Sequence, residues 1–561
     1  MNHTGTPRNI AVVGAGAAGT LTAMRLLHHA AAAAGPFNSP TGNGDSASGD
    51  RAGLRVYLID PGTHTGRGLA FGTDVPGHLL NVRASGMSAH RDDPEHFVRW
   101  LDGRAKGEDF VPRALFGQYL ADCLDAACER AGAGTGAATG AGRLERVHDR
   151  VVGVSPYPAP DPKPYPAPDP QSYPAPDPQP YPAPDPHPDT YGAPLTLTLR
   201  SGRRLAVDAV VLALGNLPPD LSWAPPALRE SPQFVADPWA PGALDAVPEE
   251  EDVLLVGTGL TMVDVALTLR RPGRVVHAVS RRGLVPQPHV TAPYAVPDTP
   301  RLDAGAGLAA LRRAVLRHFA HCRRQYGDWR AAMDSLRPVT STLWQQLSAA
   351  DRARFLAGDL RLWEAHRHRI PPVSAQALGD ALERGLVRLH QGSVEEARAV
   401  GNALEDVLEL TLEGGVGAGV GAAIGSGSGS GSGAGVGLGS GSSAGVGSGG
   451  RRPVRTTVRV GAVVNCTGCP TDLTRTDDPL VAGLLADGLA VPAPVGGGFD
   501  TTATGRLRPA PGQAPAPLWT LGSLRRGNLL ETTAIPEIRC QADDLAQALL
   551  NPAALVLSPS V

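Results

Sequence analysis

Lysine is almost missing from this chain of 561 residues: of 51 basic side chains, only Lys106 and Lys163 are lysine and the rest are arginine. With 69 glycines and 53 prolines beside them, this is a compositional bias, so a single arginine carries little functional weight by itself. Cysteine is sparse too. Six in this length make no disulfide framework. No uninterrupted apolar run reaches the ~20 residues of a membrane span. The opening "MNHTGTPRNIAVVGAG" lacks a charged segment followed by an apolar signal core, because its apolar residues already read as a strand. No membrane association and a cytoplasmic location are therefore expected. A formal charge of −3 leaves no basic excess for a phosphate backbone, which argues against nucleic acid as a partner. What remains, 42% hydrophobic and 19% charged, is a globular composition with room for two to four domains of ~150 residues each.

Glycine is plentiful, and two clusters of it carry chemistry. The first, Gly14-x-Gly16-x-x-Gly19 in "IAVVGAGAAGTLTA", follows an apolar strand and opens a helix rich in Ala and Leu. The first glycine permits the turn, the second lets a pyrophosphate approach, and the third lets helix and strand pack. Helix N-terminal amides then receive the negative charge, which assigns Gly14, Ala15, Gly16, Ala17, Ala18 and Gly19 to cofactor binding. The next strand, "LRVYLID", ends at Asp60, where an acid can hold ribose hydroxyls. The usual interval to that acid is about 20 residues; here the polar insert "PFNSPTGNGDSASGD" lengthens it.

The second cluster, "LLVGTGLTMVDVA", supplies Gly257 and Gly259, with Met262 in the third glycine's place. Its following strand "RVVHAVS" ends in Arg281-Arg282 and not in an acid. A guanidinium pair there suits the 2′-phosphate of NADP better than the free ribose of NAD. Two dinucleotide sites in one chain make sense when one holds a flavin and the other a nicotinamide that reduces it.

Two low-complexity inserts show how the chain is organised. An eight-residue unit starts at Tyr157 and recurs at Tyr165, Tyr173 and Tyr181, giving an extended proline-rich spacer that could also dock a protein partner. Gly414 to Gly450 is a Gly/Ser linker. Strand-like segments flank each insert, and each is followed by an almost wholly apolar strand that ends at Gly215 or Gly468. Both inserts therefore read as enlarged hairpin tips at equivalent positions of two related nucleotide-binding units. Between the units, "GLAALRRAVLRHFAHCRRQY" and "STLWQQLSAADRARFLAGDLRLWEAHRHR" have the apolar spacing of amphipathic helices. That face packs on a neighbour or caps a substrate cavity; periodicity leaves both open.

Apart from its inserts the chain resembles the two-dinucleotide-fold flavoproteins, and specifically the bacterial FAD/NAD(P)-binding family that includes YdhS-like proteins. The resemblance rests on "GRGLAFGTDVPGHLLNVRASGMSAHRDDPEHFVRWL", "FVPRALFGQYL", "VGTGLTMVD", "SRRGLVPQPH", "VVNCTG" and "LGSLRRGNLLETTAIPEIRCQA". It implies an α/β chain of two Rossmann-like domains, a glutathione-reductase-like FAD fold with an inserted NAD(P) domain, plus a helical insertion. The expected division is 1–240 for the first part of the FAD domain, with the Pro-rich insert at 155–190. The NAD(P) domain follows at 245–470, with the helical insertion at 300–372 and the linker at 414–450. Residues 471–561 return to complete the FAD domain. By the same resemblance Gly522 belongs near the flavin phosphates or ribityl chain, and His78 and Asn81, in "HLLNV", near the ring or its tail; Gly215, where its strand ends, is assigned to cofactor binding as well.

The family is also similar to class B flavin monooxygenases, including N-hydroxylases and Baeyer–Villiger enzymes. Those carry a histidine fingerprint before the second glycine turn, where this chain reads "FVADPWAP" with Trp239 and no histidine. That departure disfavours Baeyer–Villiger chemistry and leaves amine N-hydroxylation. Asn81 and Trp239 are the catalytic positions expected from place alone. "CTGC", Cys466 to Cys469, has dithiol spacing but ends an apolar strand, so a redox disulfide is not expected. His64, His78, His90 and His96 match no metal spacing, so no metal is expected. "HRHR" at His366–Arg369 reads as a solvated helix end. The expected activity is an FAD-dependent, NADPH-consuming oxidoreductase, a monooxygenase acting on a small polar or amine-bearing molecule. The alternatives are a reductase serving a quinone, disulfide or protein acceptor, and a non-enzymatic flavin-bearing scaffold.

Overall fold

The computed structural model describes residues 9–34, 53–132, 142–156, 195–291, 294–400, 407–414, 454–469 and 472–550. The Pro-rich repeat, the Gly/Ser linker and the polar insert after the first helix lie outside them. The chain divides into two compact units, one of Met1–Pro218, Tyr294–Ala357 and Cys469–Val561, the other of Pro219–Pro293 and Gly358–Gly468.

In the first unit, five parallel strands run edge to edge in the order Leu518–Thr520, Ala209–Leu212, Asn9–Val13, Leu54–Ile59 and Gly142–Val147. The three central strands are buried at every position, and apart from Asn9 and Arg55 their sequences are apolar, as a sheet covered on both faces requires. On one face Ile10, Val12 and Val56 pack against Leu21 and Leu27 of helix Ala17–Ala34, Leu120 of helix Arg113–Gly132 and Leu545 of helix Ile535–Leu550. On the other, Ala11, Val210 and Leu212 meet Leu197 and Val207 of a three-stranded antiparallel sheet, Val151–Pro156, Leu195–Leu199 and Arg204–Val207.

The second unit repeats this plan. Its parallel strands run Phe234–Val235, Ala462–Asn465, Val253–Val256, Val276–Ser280 and Val387–Gln391. Helices Leu260–Leu269 and Pro372–Glu383 cover one face. The antiparallel strands Ser393–Val400, Val407–Gly414 and Val454–Val460 cover the other. Each insert joins paired strands of such an antiparallel sheet: Pro156 lies opposite Leu195, and Gly414 opposite Val454. Both are hairpin connections, where a surface loop gains length at little entropic cost, but their places are not equivalent as the sequence suggested: the first joins the first and second strands of its sheet, the second joins the second and third.

The helices of 300–372, read from sequence as part of the NAD(P) domain, are divided between the units. Tyr294–Ala357 belongs to the first and the remainder to the second. Leu308, Leu343 and Trp344 form an apolar cluster with Val495 and Leu530, and Trp344 Nε1 donates to the Gly527 carbonyl at 2.9 Å. Arg337 makes a bidentate pair with Glu537, at 2.6 and 2.7 Å. Helical periodicity shows an apolar face but not which surface it meets. No described helix is long and apolar enough to cross a membrane.

Candidate functional site

The first glycine turn joins the strand Asn9–Val13 to its helix. Gly14 has φ +104°, and its amide donates to the Ile59 carbonyl at 2.7 Å. A β-carbon on Gly14 would lie 2.4 Å from the Ala213 carbonyl oxygen, and one on Gly19 would lie 1.7 Å from the Gly14 oxygen. Only glycine fits at either end. Between them Gly16 faces the α-carbon of Gly68, on a loop whose Gly66 amide donates to the Ala15 carbonyl at 2.8 Å. Asp60 closes the turn from the adjacent strand: its Oδ2 accepts the Ala15 amide at 2.7 Å.

The return segment reaches the same place. Gly522, φ +72°, begins the short helix Gly522–Arg525, and a β-carbon there would lie 4.0 Å from the Ala18 methyl. Its amide donates to Gln541 Oε1 at 3.2 Å, and the Ser523 hydroxyl donates to the Gly215 carbonyl. The structure thus brings together Gly14–Gly19, Asp60, Gly215 and Gly522, a backbone cradle free of side chains where a dinucleotide pyrophosphate must approach.

In the second unit Gly257 has φ +107°, and a β-carbon would lie 2.4 Å from the Cys466 carbonyl oxygen. Its amide donates to the Val279 carbonyl at 2.8 Å, which ties the turn to the strand ending at Ser280. Gly259 caps the helix Leu260–Leu269 with nothing within 4 Å of its α-carbon's open side. Met262, in the third glycine's place, buries its side chain in the core of this unit. Arg281 and Arg282 follow the strand, both exposed, with Arg282 Nη1 donating to the Gly358 carbonyl at 2.7 Å.

Residues 11–159 match the FAD-NAD(P)-binding family model. The first unit carries an FAD/NAD(P)-binding domain. The cofactors are FAD and a nicotinamide dinucleotide, and the two cradles fit them. Over 97% of its length the chain is similar to ornithine hydroxylase PvdA from Pseudomonas aeruginosa, at 14% identity, 98% coverage of that chain and a TM-score of 0.54. It is similar over 97% of its length to L-lysine 6-monooxygenase from Pseudomonas syringae, at 15% identity, 99% coverage of that chain and a TM-score of 0.51. At these identities the likeness is one of fold, a two-domain FAD/NAD(P) oxidoreductase fold. No curated protein matches the sequence.

Around the first glycine turn, sequence reasoning missed Gly66, Gly68 and the buried Arg525. Arg525 donates to the carbonyls of Thr502 and Ala503, at 3.2 and 2.8 Å, and to Gln541 Oε1, at 3.4 Å. The same glutamine oxygen receives Gly522, so Arg525 fixes the return segment; burial lowers its pKa to about 10. At the second glycine turn the missed residue is Arg361. It donates to the carbonyls of Thr258 and Leu284 at 2.9 and 3.0 Å, while Thr258 Oγ1 lies 2.7 Å from Ser280 Oγ. Compositional bias hid both arginines.

The remaining expected residues have the following surroundings. His78 is buried, with Nδ1 2.7 Å from Thr73 Oγ1 and its carbonyl accepting the Arg113 amide. Asn81 is half-buried in the following turn of the first unit, and Trp239 is half-buried in the second, its amide donating to Asp237 at 2.9 Å. Cys466 and Cys469 are free thiols, both raised in pKa by burial. Arg369, read as solvated, is 4% exposed: the Ile370 amide donates to the Gln287 carbonyl and the Ile370 carbonyl accepts the His289 amide, which draws the segment inward. Of the four histidines set aside as metal ligands, His90 and His96 come together, with ring centroids 4.3 Å apart.

Proposed function

We propose that the chain is an FAD-dependent monooxygenase that consumes NADPH and N-hydroxylates a small amine-bearing substrate. The observation that carries this reading is the pair of glycine turns, each at the end of the central strand of a five-stranded parallel sheet, joined to a fold likeness that spans 97% of the chain with an ornithine hydroxylase and an L-lysine 6-monooxygenase. Bound FAD would accept hydride from the nicotinamide and, once reduced, activate oxygen.

The protein's own part is binding and exclusion. The amides at the start of helix Ala17–Ala34 receive the flavin pyrophosphate, and Asp60 retains lone pairs for ribose hydroxyls while holding the turn. Arg281 and Arg282 read the 2′-phosphate that distinguishes NADPH. A cleft beside the Gly215–Ser523 contact, lined by Asn216, Cys469, Ser523, Arg526 and Thr533, offers a cationic group to a substrate acid. Asn81 and Trp239 are the positions assigned to contact the reacting groups. A soluble dithiol route does not suit Cys466, whose thiol is fully buried and raised in pKa.

The test is oxygen consumption coupled to hydroxylated product, with ornithine, lysine and simple diamines as first substrates. Tight coupling with one of them supports the proposal. NADPH oxidation that yields only hydrogen peroxide with every amine counts against it, and sustained turnover under argon with a quinone would establish the reductase alternative.

A further inference from the structure

Two histidines and a cysteine outside the cofactor cradles meet in the first unit. His90 precedes the short helix His96–Trp100, which His96 opens, and Cys123 faces both from the middle of helix Arg113–Gly132. One donor atom from each lies within 4.8 Å of the other two. Around a tetrahedral zinc, bonds of ~2.0–2.1 Å to nitrogen and ~2.3 Å to sulfur place neighbouring donors roughly 3.3–3.6 Å apart. The donors are thus about an ångström from a ligating arrangement, a distance that side-chain rotation covers.

We propose that His90, His96 and Cys123 form a zinc site, three-ligand from the protein with the fourth position open to water. Two imidazoles and one thiol are the donor types zinc selects, and no carboxylate is among them to favour a hard cation. The surroundings already supply an outer partner. Tyr119 Oη lies 2.9 Å from His96 Nδ1 and accepts the Ala89 amide at 3.0 Å, so one ring nitrogen is oriented and the other is left for a metal.

The electrostatics are balanced. Asp92 and Asp93 on the histidine segment and Asp122 beside Cys123 face Arg25 of the first helix, Arg99 of the short helix and Arg130 of the long one. Neither sign prevails, so the donors themselves must hold the ion. Burial lowers His90 to about 4 and lowers His96 as well, which keeps both imidazoles in the neutral, ligating form. Burial raises the Cys123 thiol to about 12. Binding therefore breaks its S–H bond, forms an S–Zn bond and releases one proton to solvent. The ion would fasten the His90–His96 segment to the long helix. The same segment is held on other sides by Arg25 Nη2 on the Ala89 carbonyl, at 3.3 Å, and Arg539 Nη1 on the Ser88 carbonyl, at 2.8 Å.

Cobalt(II), titrated into the FAD-loaded full chain, is the spectroscopic probe. The expected result is one equivalent bound, with a thiolate-to-cobalt charge-transfer band in the difference spectrum that zinc displaces. Cys123→Ser abolishes the band, His90→Asn weakens binding at least tenfold, and Cys128→Ser leaves it unchanged. Zinc raises the Tm of the native chain and not of either site variant. Flavin content reports whether each variant folds, and should Cys123→Ser lose it, His90→Asn carries the test. No band in the native chain, or a band that survives both site substitutions, overturns the proposal.

Discussion

Asp60 holds the amide of Ala15 inside the first glycine turn at 2.7 Å, and its second oxygen takes the Gly62 amide at the same distance. One carboxylate therefore fixes the turn before any cofactor arrives. A hydrogen bond to a charged acceptor is worth about 1.5–3 kcal/mol, so Asp60→Ala should weaken FAD binding on the order of 10- to 100-fold. Reconstitution of apoprotein, followed by flavin fluorescence, measures it. An alanine variant that retains FAD as tightly as the native chain would remove Asp60 from the site.

The glycines separate structural need from cofactor access. Gly19→Ala places a methyl 1.7 Å from a backbone oxygen and should cost about 1–3 kcal/mol of stability together with flavin. Gly259→Ala meets nothing within 4 Å and should change stability by less than about 0.5 kcal/mol. Its effect should appear only as slower flavin reduction at limiting NADPH. Urea melts and stopped-flow reduction of the two variants distinguish these outcomes; equal destabilisation by both would contradict the account.

Arg281 is exposed at the end of its strand, whereas Arg282 commits one N–H to the Gly358 carbonyl. Arg281→Ala should raise the KM for NADPH about tenfold, the equivalent of ~1.4 kcal/mol, and leave NADH unaffected. Arg282→Ala should have the smaller effect on NADPH. Parallel losses with both nucleotides would assign these arginines to stability alone.

His277 Nδ1 and His390 Nε2 lie 2.9 Å apart in the second unit, one donating and the other accepting. Burial lowers both, His390 to about 4 with a further push from His277, despite Asp252 beside His277. A histidine lowered in the folded state binds its proton more readily when unfolded. Its stabilisation is complete above the unfolded value of ~6.5 and is lost as pH falls towards 4. The Tm should fall between pH 7 and pH 5, and His390→Gln should flatten that slope. An unchanged slope in the variant would move the effect to His90 and His96.

Neither the buried Cys466 nor the half-buried Cys469 of "CTGC" is expected to serve electron transfer. Cys466→Ser should keep NADPH-driven turnover within about twofold, as should deletion of Tyr157 to Pro188. Loss of turnover on that deletion, with flavin retained, would instead support a docking role for the Pro-rich tract.

Much of the site was legible in the sequence because its requirements are local. Gly14, Gly257 and Gly522 take positive φ values that other residues avoid, and the strands before the first two are continuous apolar runs. The hairpin inserts were legible for a similar reason, since the strands beside them state their own pairing. Arg361 and Arg525 gave no such signal: their importance lies in carbonyl groups far away in the chain, Thr258 and Thr502 among them.

By itself the sequence determined two glycine turns, the strands that lead into them and the sign of charge that follows each. These depend on backbone conformation and on periodicity within a few residues. Only the tertiary structure decided that Tyr294–Ala357 packs within the first unit, that Gly522 returns to Ala18, and that His90, His96 and Cys123 share one place. Apolar faces and donor groups choose partners by shape and proximity after collapse, and separation along the chain does not encode that choice.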